Sequence, residues 1–256
     1  SINGNGGLLL ASSSHNNTLI SNTAISLGTG IGISLSSSSN NNLTSNLGIS
    51  NSGSAMSFSS SSNNIVTDNT GRSNSSNGVL LPSSNNNTLK YNNWTSFGGG
   101  YGIRISGSVN NTLLSNSGNS NTGYGIYLQS SSNSNNLTNN NGTSTSSEGI
   151  YLSSSSNNVL INNNGTSLGS YRGIYLSSSS NNTLINNTAL TNTNYAIYLS
   201  GSLNNTFINQ VAATFGSSGS SRYGIYIYNS NHTIFRDCIN ISGGSRDISY
   251  LSSPSI

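Results

Sequence analysis

A short apolar tetrad of the Gly-Ile-Tyr-Leu type recurs at near-constant spacing along the whole chain. If the first apolar residue of each tetrad is taken as an anchor, successive anchors lie 23 or 24 residues apart, except for one step of 28 residues with a loop between Gly216 and Arg222. The anchors are Leu9, Ile33, Met56, Val79, Ile103, Ile126, Ile150, Ile174, Ile197, Ile225 and Ile248. Such a period is typical of a solenoid, in which each repeat buries its apolar side only by stacking on its neighbours.

The composition alone would indicate disorder, because only 31% of residues are hydrophobic and 4% are charged. The register excludes that interpretation, since disordered tracts have no reason to keep an apolar residue ten positions after most anchors. Those residues are Leu19, Leu43, Val66, Leu89, Leu113, Leu160, Leu184 and Phe207. One uninterrupted repeat without a change of composition predicts a single domain over residues 1–256.

The tetrads read as short β-strands, because Ile174 and Leu176 flank Tyr175 with the two-residue alternation of a strand. A second strand is expected at Thr183 to Ile185 and a third a few residues later, separated by corners rich in Ser, Asn and Gly. These residues are weak helix formers, and no stretch shows a 3.6-residue period. The sequence therefore predicts an all-β fold, a right-handed single-stranded parallel β-helix of about ten coils.

One corner position repeats asparagine from coil to coil, thirteen residues after most anchors. The predicted ladder comprises Asn22, Asn46, Asn69, Asn92, Asn116, Asn140, Asn163 and Asn187. Stacked amides can hydrogen-bond along such a column and tie down the corner backbone, so we expect a structural role. Two positions later most coils carry Gly or Ala, and Trp94, the exception, is expected to bulge outward.

The segment Tyr-Arg-Gly-Ile-Tyr-Leu-Ser-Ser-Ser-Ser-Asn-Asn-Thr-Leu-Ile-Asn-Asn, residues 171–187, resembles the right-handed parallel β-helix repeats of NosD-like proteins. The resemblance covers nearly the whole chain, and similar repeats occur in archaeal and bacterial surface proteins. It implies the fold, whereas the copper-binding and carbohydrate-active roles found in the family each need residues of their own.

A copper site is not expected. The natural ligands would be His15, His232, Cys238 and Met56. The two histidines lie nine coils apart, about 40 Å at the spacing of strands, which rules out shared coordination. We therefore predict no metal and no cofactor.

Catalysis is not expected either, because the acids are dispersed. Asp68, Glu148, Asp237 and Asp247 fall in different coils or different slots, whereas paired-carboxylate hydrolysis needs two groups within about 5–10 Å. Glu148 and Arg172 share one slot in adjacent coils, which predicts a surface ion pair that supports the register. The sequence thus predicts a protein that is not an enzyme.

An outward column one position after the anchor carries the strongest candidate site. Its residues are Arg104, Tyr127, Tyr151, Tyr175, Tyr198 and Tyr226, and a second column adds Tyr101, Tyr124, Tyr195 and Tyr223. Arg104 is expected to lie over the Tyr127 ring. The strip would suit a protein interface, a glycan or mere sheet stabilisation, and these alternatives stay open.

The favoured function is an extracellular or cell-surface structural protein that forms a homo-oligomer, a head-to-tail or lateral filament. The alternative is a carbohydrate-binding or polysaccharide-degrading β-helix. Ice binding through a threonine column is a third and weaker hypothesis, since Asn, Ile and Val interrupt that column. A formal charge of only +3 argues against nucleic acid, and no apolar run is long enough to span a membrane.

N-glycosylation sequons recur at one corner slot, where an outward side chain would suit a secreted protein. These candidate sites are Asn16, Asn86, Asn110, Asn181 and Asn204.

Overall fold

The fold is a stack of β coils in a computed structural model that describes residues 6–216, 222–238, 241–242 and 246–251. Every regular element among these residues is a β-strand, and all strand pairs are parallel. No helix in the described part is long and apolar enough to cross a membrane. The loop between Gly216 and Arg222, which lengthens one repeat, lies outside the described residues at 217–221.

Three sheets of 11, 10 and 10 strands run the length of the stack. Each of the first ten coils contributes one strand to each sheet, and one further strand ends the first sheet. Sheet 1 comprises β1 (Leu8–Leu10), β4 (Ile33–Ser36), β7 (Met56–Ser59), β10 (Val79–Pro82), β13 (Ile103–Ser106), β16 (Ile126–Gln129), β19 (Ile150–Ser153), β22 (Ile174–Ser177), β25 (Tyr195–Ser200), β28 (Tyr223–Tyr228) and β31 (Arg246–Leu251). Sheet 2 comprises β2 (Thr18–Ile20), β5 (Asn42–Thr44), β8 (Ile65–Thr67), β11 (Thr88–Lys90), β14 (Thr112–Leu114), β17 (Asn136–Thr138), β20 (Val159–Ile161), β23 (Thr183–Ile185), β26 (Thr206–Ile208) and β29 (Ile234–Arg236). Sheet 3 comprises β3 (Thr23–Ser26), β6 (Leu47–Ser50), β9 (Thr70–Ser73), β12 (Asn93–Ser96), β15 (Ser117–Ser120), β18 (Asn141–Ser144), β21 (Asn164–Ser167), β24 (Thr188–Thr191), β27 (Val211–Thr214) and β30 (Ile241–Ser242). The predicted all-β solenoid of about ten coils is confirmed.

The core lies inside the coils and repeats in register. Ile150 pairs with Ile174 and Leu152 with Leu176, and all four are fully buried. The predicted anchors from Ile33 to Ile225 are buried at this position, whereas Ile248 in the last coil is 51% exposed, and the first coil departs from the prediction. There Leu8, not Leu9, pairs with Ile33, and Leu9 points outward with 64% of its surface exposed.

Trp94 faces the interior, so the prediction that it bulges outward is wrong. It is fully buried on β12, and its neighbours in the sheet are Gly71 and Gly118. A Cβ on Gly71 would lie 2.5 Å from Cε3 of the indole ring. The ring therefore occupies the space that the preceding coil leaves empty by having glycine at this position.

The asparagine positions predicted as a ladder form one in the structure. From Asn22 to Asn163 each side-chain Nδ2 donates to Oδ1 of the next member at 2.8–3.1 Å. The backbone N–H of each donates to the same oxygen. Asn140 also donates from Nδ2 to the carbonyl oxygens of Leu113 and Thr138, so one amide serves three coils.

Two further polar ladders, which the sequence analysis did not single out, stabilise the corner between sheets 1 and 2. One is a second asparagine column, and the other is a serine column in which a backbone N–H donates to the next Oγ at every step except that from Ser132 to Ser155. The asparagines are Asn41, Asn64, Asn87, Asn111, Asn135, Asn158, Asn182 and Asn205. The serines are Ser38, Ser61, Ser84, Ser108, Ser132, Ser155, Ser179, Ser202 and Ser230. The buried Ser and Asn residues thus make the hydrogen bonds that a chain poor in apolar residues needs at its corners.

Candidate functional site: an aromatic belt on sheet 1

The tyrosine strip, made of Arg104, Tyr127, Tyr151, Tyr175, Tyr198 and Tyr226, follows the outer face of sheet 1. Each member pairs in register with the next along the stack. The strand alternation that buries Ile150 and Leu152 turns Tyr151 to the outside, so the strip follows directly from the repeat.

From Tyr127 to Tyr198 the rings of the strip stack face to face. Ring centroids are 5.1 Å apart between Tyr127 and Tyr151, 4.6 Å between Tyr151 and Tyr175, and 4.8 Å between Tyr175 and Tyr198. The interplanar angles of these pairs are 12°, 2° and 15°. Because each ring face covers the next, the strip presents ring edges and hydroxyl groups, not ring faces, to the outside.

A second column lies two residues before each anchor and contains Tyr101, Tyr124, Glu148, Arg172, Tyr195 and Tyr223. Its tyrosines contact the strip, with Tyr124 edge-on to Tyr127 and Tyr151 at 4.7 and 4.9 Å. At the other end, Tyr195 stacks on Tyr226 at 4.4 Å. The two columns together form one surface, which we call the aromatic belt.

An ion pair interrupts the tyrosines at the centre of the second column. Arg172 Nη1 donates to Glu148 Oε1 at 2.9 Å, and Ser147 Oγ donates to Glu148 Oε2 at 2.9 Å. The Glu148 side chain is only 5% exposed and that of Arg172 is 25% exposed. The two residues pair as the sequence predicts, but the carboxylate is buried, so the expectation of a surface pair is corrected.

The guanidinium of Arg172 also contacts the strip, lying 5.1 Å from the Tyr175 ring centroid and 5.0 Å from that of Tyr198. These cation–π contacts hold the arginine against the belt. Its Nε is buried without a hydrogen-bond partner among the described residues.

Arg104 does not lie over Tyr127, contrary to the sequence-based expectation. Its guanidinium carbon is 5.4 Å from the Tyr101 ring centroid. With the Gln129 amide oriented to satisfy its neighbours, Gln129 accepts from Arg104 Nη2 at 2.6 Å and donates to the Tyr127 hydroxyl at 2.9 Å. Gln129, which the sequence analysis missed, therefore fixes both the arginine and the adjacent tyrosine.

Burial raises the pKa of the Tyr124, Tyr127, Tyr151 and Tyr195 hydroxyls above the ordinary tyrosine value. The Glu148 carboxylate adds to the rise at Tyr124. These phenols stay protonated at neutral pH, so they can both donate and accept hydrogen bonds. They are poorly suited to act as general bases in the state that the structure shows.

The other predicted sites lie away from the belt. Every candidate glycosylation site is exposed and has a left-handed backbone, with φ between 53° and 58°, which suits an outward corner. The members of this group are Asn16, Asn86, Asn110, Asn181 and Asn204. Whether they carry glycans stays a prediction.

No group of three or more His, Cys, Asp or Glu side chains that could hold a metal occurs among the described residues. Met56 is fully buried in the core. His15 Nδ1 accepts the backbone N–H of Ser39 at 2.9 Å, far along the stack from His232. The donors present do not fit a copper centre, and no chemistry is assigned to one.

Three parallel sheets wound from a 23–24-residue repeat define the class of the protein, a parallel β-helix. The family model described as periplasmic copper-binding protein (NosD) matches residues 1–142, and the model described as right handed beta helix region matches residues 101–255. The chain belongs to these NosD and right-handed β-helix families, as its repeat predicts. Comparison with curated proteins finds no match.

Solved structures with the same fold include carbohydrate-active enzymes. The periplasmic alginate epimerase AlgG is 13% identical over 95% of this chain and 76% of its own, with a TM-score of 0.56. The A-module of the Azotobacter vinelandii mannuronan C-5 epimerase AlgE6 is 12% identical over 97% of this chain and 81% of its own, with a TM-score of 0.53. At such identities the likeness shows the fold alone.

These structures contradict the prediction that the chain is not an enzyme. Both are epimerases built on a similar coil. The prediction was drawn from a search for paired carboxylates, which is a criterion for hydrolysis and not for other reactions on carbohydrates. Dispersed acids are therefore no ground for excluding a carbohydrate-active enzyme on this fold.

Proposed function

We propose that this chain is an extracellular or periplasmic carbohydrate-active β-helix protein that binds a polysaccharide along the aromatic belt. The observation that carries the proposal is the run of stacked tyrosines, bounded by Arg104 and flanked by the Glu148–Arg172 pair, on one outer face. The family description and the epimerases that share the fold support both the location and the class of ligand.

The shape of the belt suits a polymer better than a small molecule. Small-molecule sites are concave and bury most of their ligand, whereas the described residues enclose no pocket. The belt is an open face on which like groups recur at the strand spacing of about 4.8 Å. A chain of sugar units can contact such a row at many points.

The chemistry of the belt suits sugar hydroxyls. Ring edges give apolar contact, and the protonated phenols donate and accept hydrogen bonds. Because the stacked faces of Tyr151 and Tyr175 are already covered, we expect hydroxyl-mediated contacts there, and not a sugar ring laid flat on a tyrosine.

Binding of alginate and of an uncharged polysaccharide, measured by isothermal titration calorimetry, tests the proposal. The variant Tyr151→Ala/Tyr175→Ala should lose at least about tenfold in affinity. The control, Thr143→Ala/Thr166→Ala, changes outward residues of sheet 3 in the same part of the stack and should bind as the parent does. Equal losses in both variants, or no binding by the parent, would refute the proposal.

The same samples test for catalysis and for assembly. NMR of the polymer before and after incubation detects epimerised or cleaved units. Self-association into a surface filament, which the sequence analysis favours, stays a prediction, since aromatic surfaces also suit protein interfaces. Concentration-dependent sedimentation that the Tyr151→Ala/Tyr175→Ala variant abolishes, without polysaccharide binding by the parent, would favour assembly instead.

A further inference from the structure

We infer that the aromatic belt is specific for an anionic polysaccharide and that Arg172 is the residue that recognises its carboxylate or sulfate groups. This inference rests on the proposed function, because it names the class of polymer that the same surface takes. It is carried by the charges of the belt and by the hydrogen bonds of its two arginines.

The belt carries more positive than negative charge in its described part. From β13 to β28 its charged residues are Arg104, Glu148 and Arg172, so its formal charge is 2 − 1 = +1. The single acid is shielded: Glu148 is buried, and each carboxylate oxygen already accepts a hydrogen bond. Between β13 and β28, a polymer laid on the described part of the belt therefore meets cations and phenols, with no exposed carboxylate to repel an anion.

Arg172 has hydrogen-bonding capacity to spare. Its contact with Glu148 uses a single N–H at Nη1, and Nε is buried, so the other N–H of Nη1 and both of Nη2 remain for a ligand. The side chain is 25% exposed, and the rings of Tyr175 and Tyr198 hold its plane in place. A fixed planar fork matches the geometry of a carboxylate or sulfate, and it loses little conformational freedom on binding.

Glu148 acts as a positioning residue for this fork. Its Oε1 holds one end of the guanidinium, and Ser147 in turn holds the carboxylate through Oε2. The contact between Arg172 and Glu148 joins adjacent coils, so it sets where along the belt the spare donors lie.

Arg104 provides a second cation on the same face. Three coil steps separate β13 from β22, so the two arginines lie about 14 Å apart along the stack. Gln129 and Tyr101 hold Arg104 in place, and no carboxylate lies within ion-pair distance of it among the described residues. Two fixed cations on one face, beside the tyrosine hydroxyls, suit a polymer that carries an anion on repeated sugar units.

The test compares polymers that differ only in charge. Polygalacturonate and its full methyl ester share one backbone, as do dextran sulfate and dextran, so the two pairs also distinguish carboxylate from sulfate. The full chain should bind at least one anionic polymer about tenfold more tightly than its neutral counterpart, and added salt should reduce that difference.

Two variants assign the effect to Arg172. Glu148→Gln/Arg172→Gln removes the pair together, keeps the formal charge of the belt at +1 and leaves no buried charge without a partner. It should abolish most of the preference for the anionic polymer, measured as the ratio of the two affinities. Arg72→Gln, which removes one exposed arginine from the outer face of sheet 3, serves as the control for net charge and should keep the preference.

The outcomes separate this inference from the proposed function. Equal binding of charged and neutral polymers would overturn the inference and leave the proposed function standing. If the chain binds neither alginate nor any of the four polymers, the proposed function is overturned. A preference that survives in the folded Glu148→Gln/Arg172→Gln variant, with folding checked by its melting curve, would refute the role given to Arg172.

Discussion

The first and the later coils of sheet 1 have the same inner face and different outer faces. Inside, Val79 and Leu81 of β10 are as fully buried as Ile150 and Leu152 of β19. Outside, the first four coils carry Leu9, Ser34, Ser57 and Leu80 where the later coils carry Arg104 and the five tyrosines of the strip. The coil thus forms with or without tyrosines, so the fold does not account for their presence.

The polar ladders differ from the belt in the same way, because they run through both parts of the stack. The first asparagine ladder begins at Asn22 and continues to Asn187 without change of geometry. Residues that the coil requires recur throughout, whereas residues that recur only in the later coils are free to serve a ligand. The comparison predicts that changes inside the coil alter stability and that changes on the belt alter binding.

The largest loss of stability is expected from Trp94→Ala, because Trp94 lies inside the coil and not in the belt. Removing a fully buried large aromatic residue costs about 3–5 kcal/mol, and here Gly71 and Gly118 cannot fill the cavity. Urea unfolding measures the loss. If the affinity of the folded variant for the polysaccharide falls as well, the interior of the coil and the belt do not have separate roles in stability and binding.

A smaller loss is expected from Asn140→Ala in the first asparagine ladder. The change removes the oxygen that accepts from Asn116 and the amide that donates to Leu113, and each buried group left without a partner costs about 1–3 kcal/mol. The control Asn141→Ala alters the exposed residue next in the chain and should change stability by no more than about 0.5 kcal/mol. Equal losses would show that the ladder does not stabilise the corner.

Most of the coil could be predicted from the sequence, because each position of the repeat occurs about ten times along the chain. The prediction failed where one coil departs from the others. Trp94 was expected to bulge outward because its slot holds small residues in the other coils, but Gly71 in the preceding coil leaves space for its ring. Leu8 to Leu10 are three leucines in a row, so alternation could not show which of them faces inward.

The belt was predictable as a column of residues but not as a set of contacts. Register alone placed Tyr127 next to Arg104, yet the arginine turns to Tyr101 because Gln129 holds it there. The Glu148 carboxylate is buried and bonded to Ser147 as well as to Arg172, which its slot in the repeat does not show. The second asparagine ladder was missed although its signal, asparagine eight or nine residues after the anchor, is in the sequence.

High pH should destabilise the later coils selectively, because the buried tyrosines belong to them. The raised pKa of Tyr124 means that the folded state keeps a proton that the unfolded state releases. Its contribution is therefore fully present below the ordinary tyrosine pKa of about 10 and is lost as the pH rises above that value. Tyr124→Phe should make the fall in melting temperature between about pH 9 and pH 11 less steep.

The matched control for this experiment is Tyr91→Phe, which changes an exposed tyrosine at a corner outside the belt. It should leave the pH dependence as in the parent. If both variants behave alike, ionisation of the belt is not the cause of the alkaline transition.

The smallest effect is expected from extending the strip by one ring. Leu80 pairs with Arg104 and is half-buried, so Leu80→Tyr would place a ring on the other side of that guanidinium. Cross-strand aromatic contacts are worth about 0.2–1 kcal/mol, so stability should change little while affinity for an anionic polysaccharide rises by about twofold at most. Ser34→Tyr puts a ring in the same slot between Leu9 and Ser57, away from the strip, and should not change affinity. An equal gain in affinity from both changes would mean that any added tyrosine suffices. The continuity of the belt, which distinguishes the later coils from the first, would then have no part in binding.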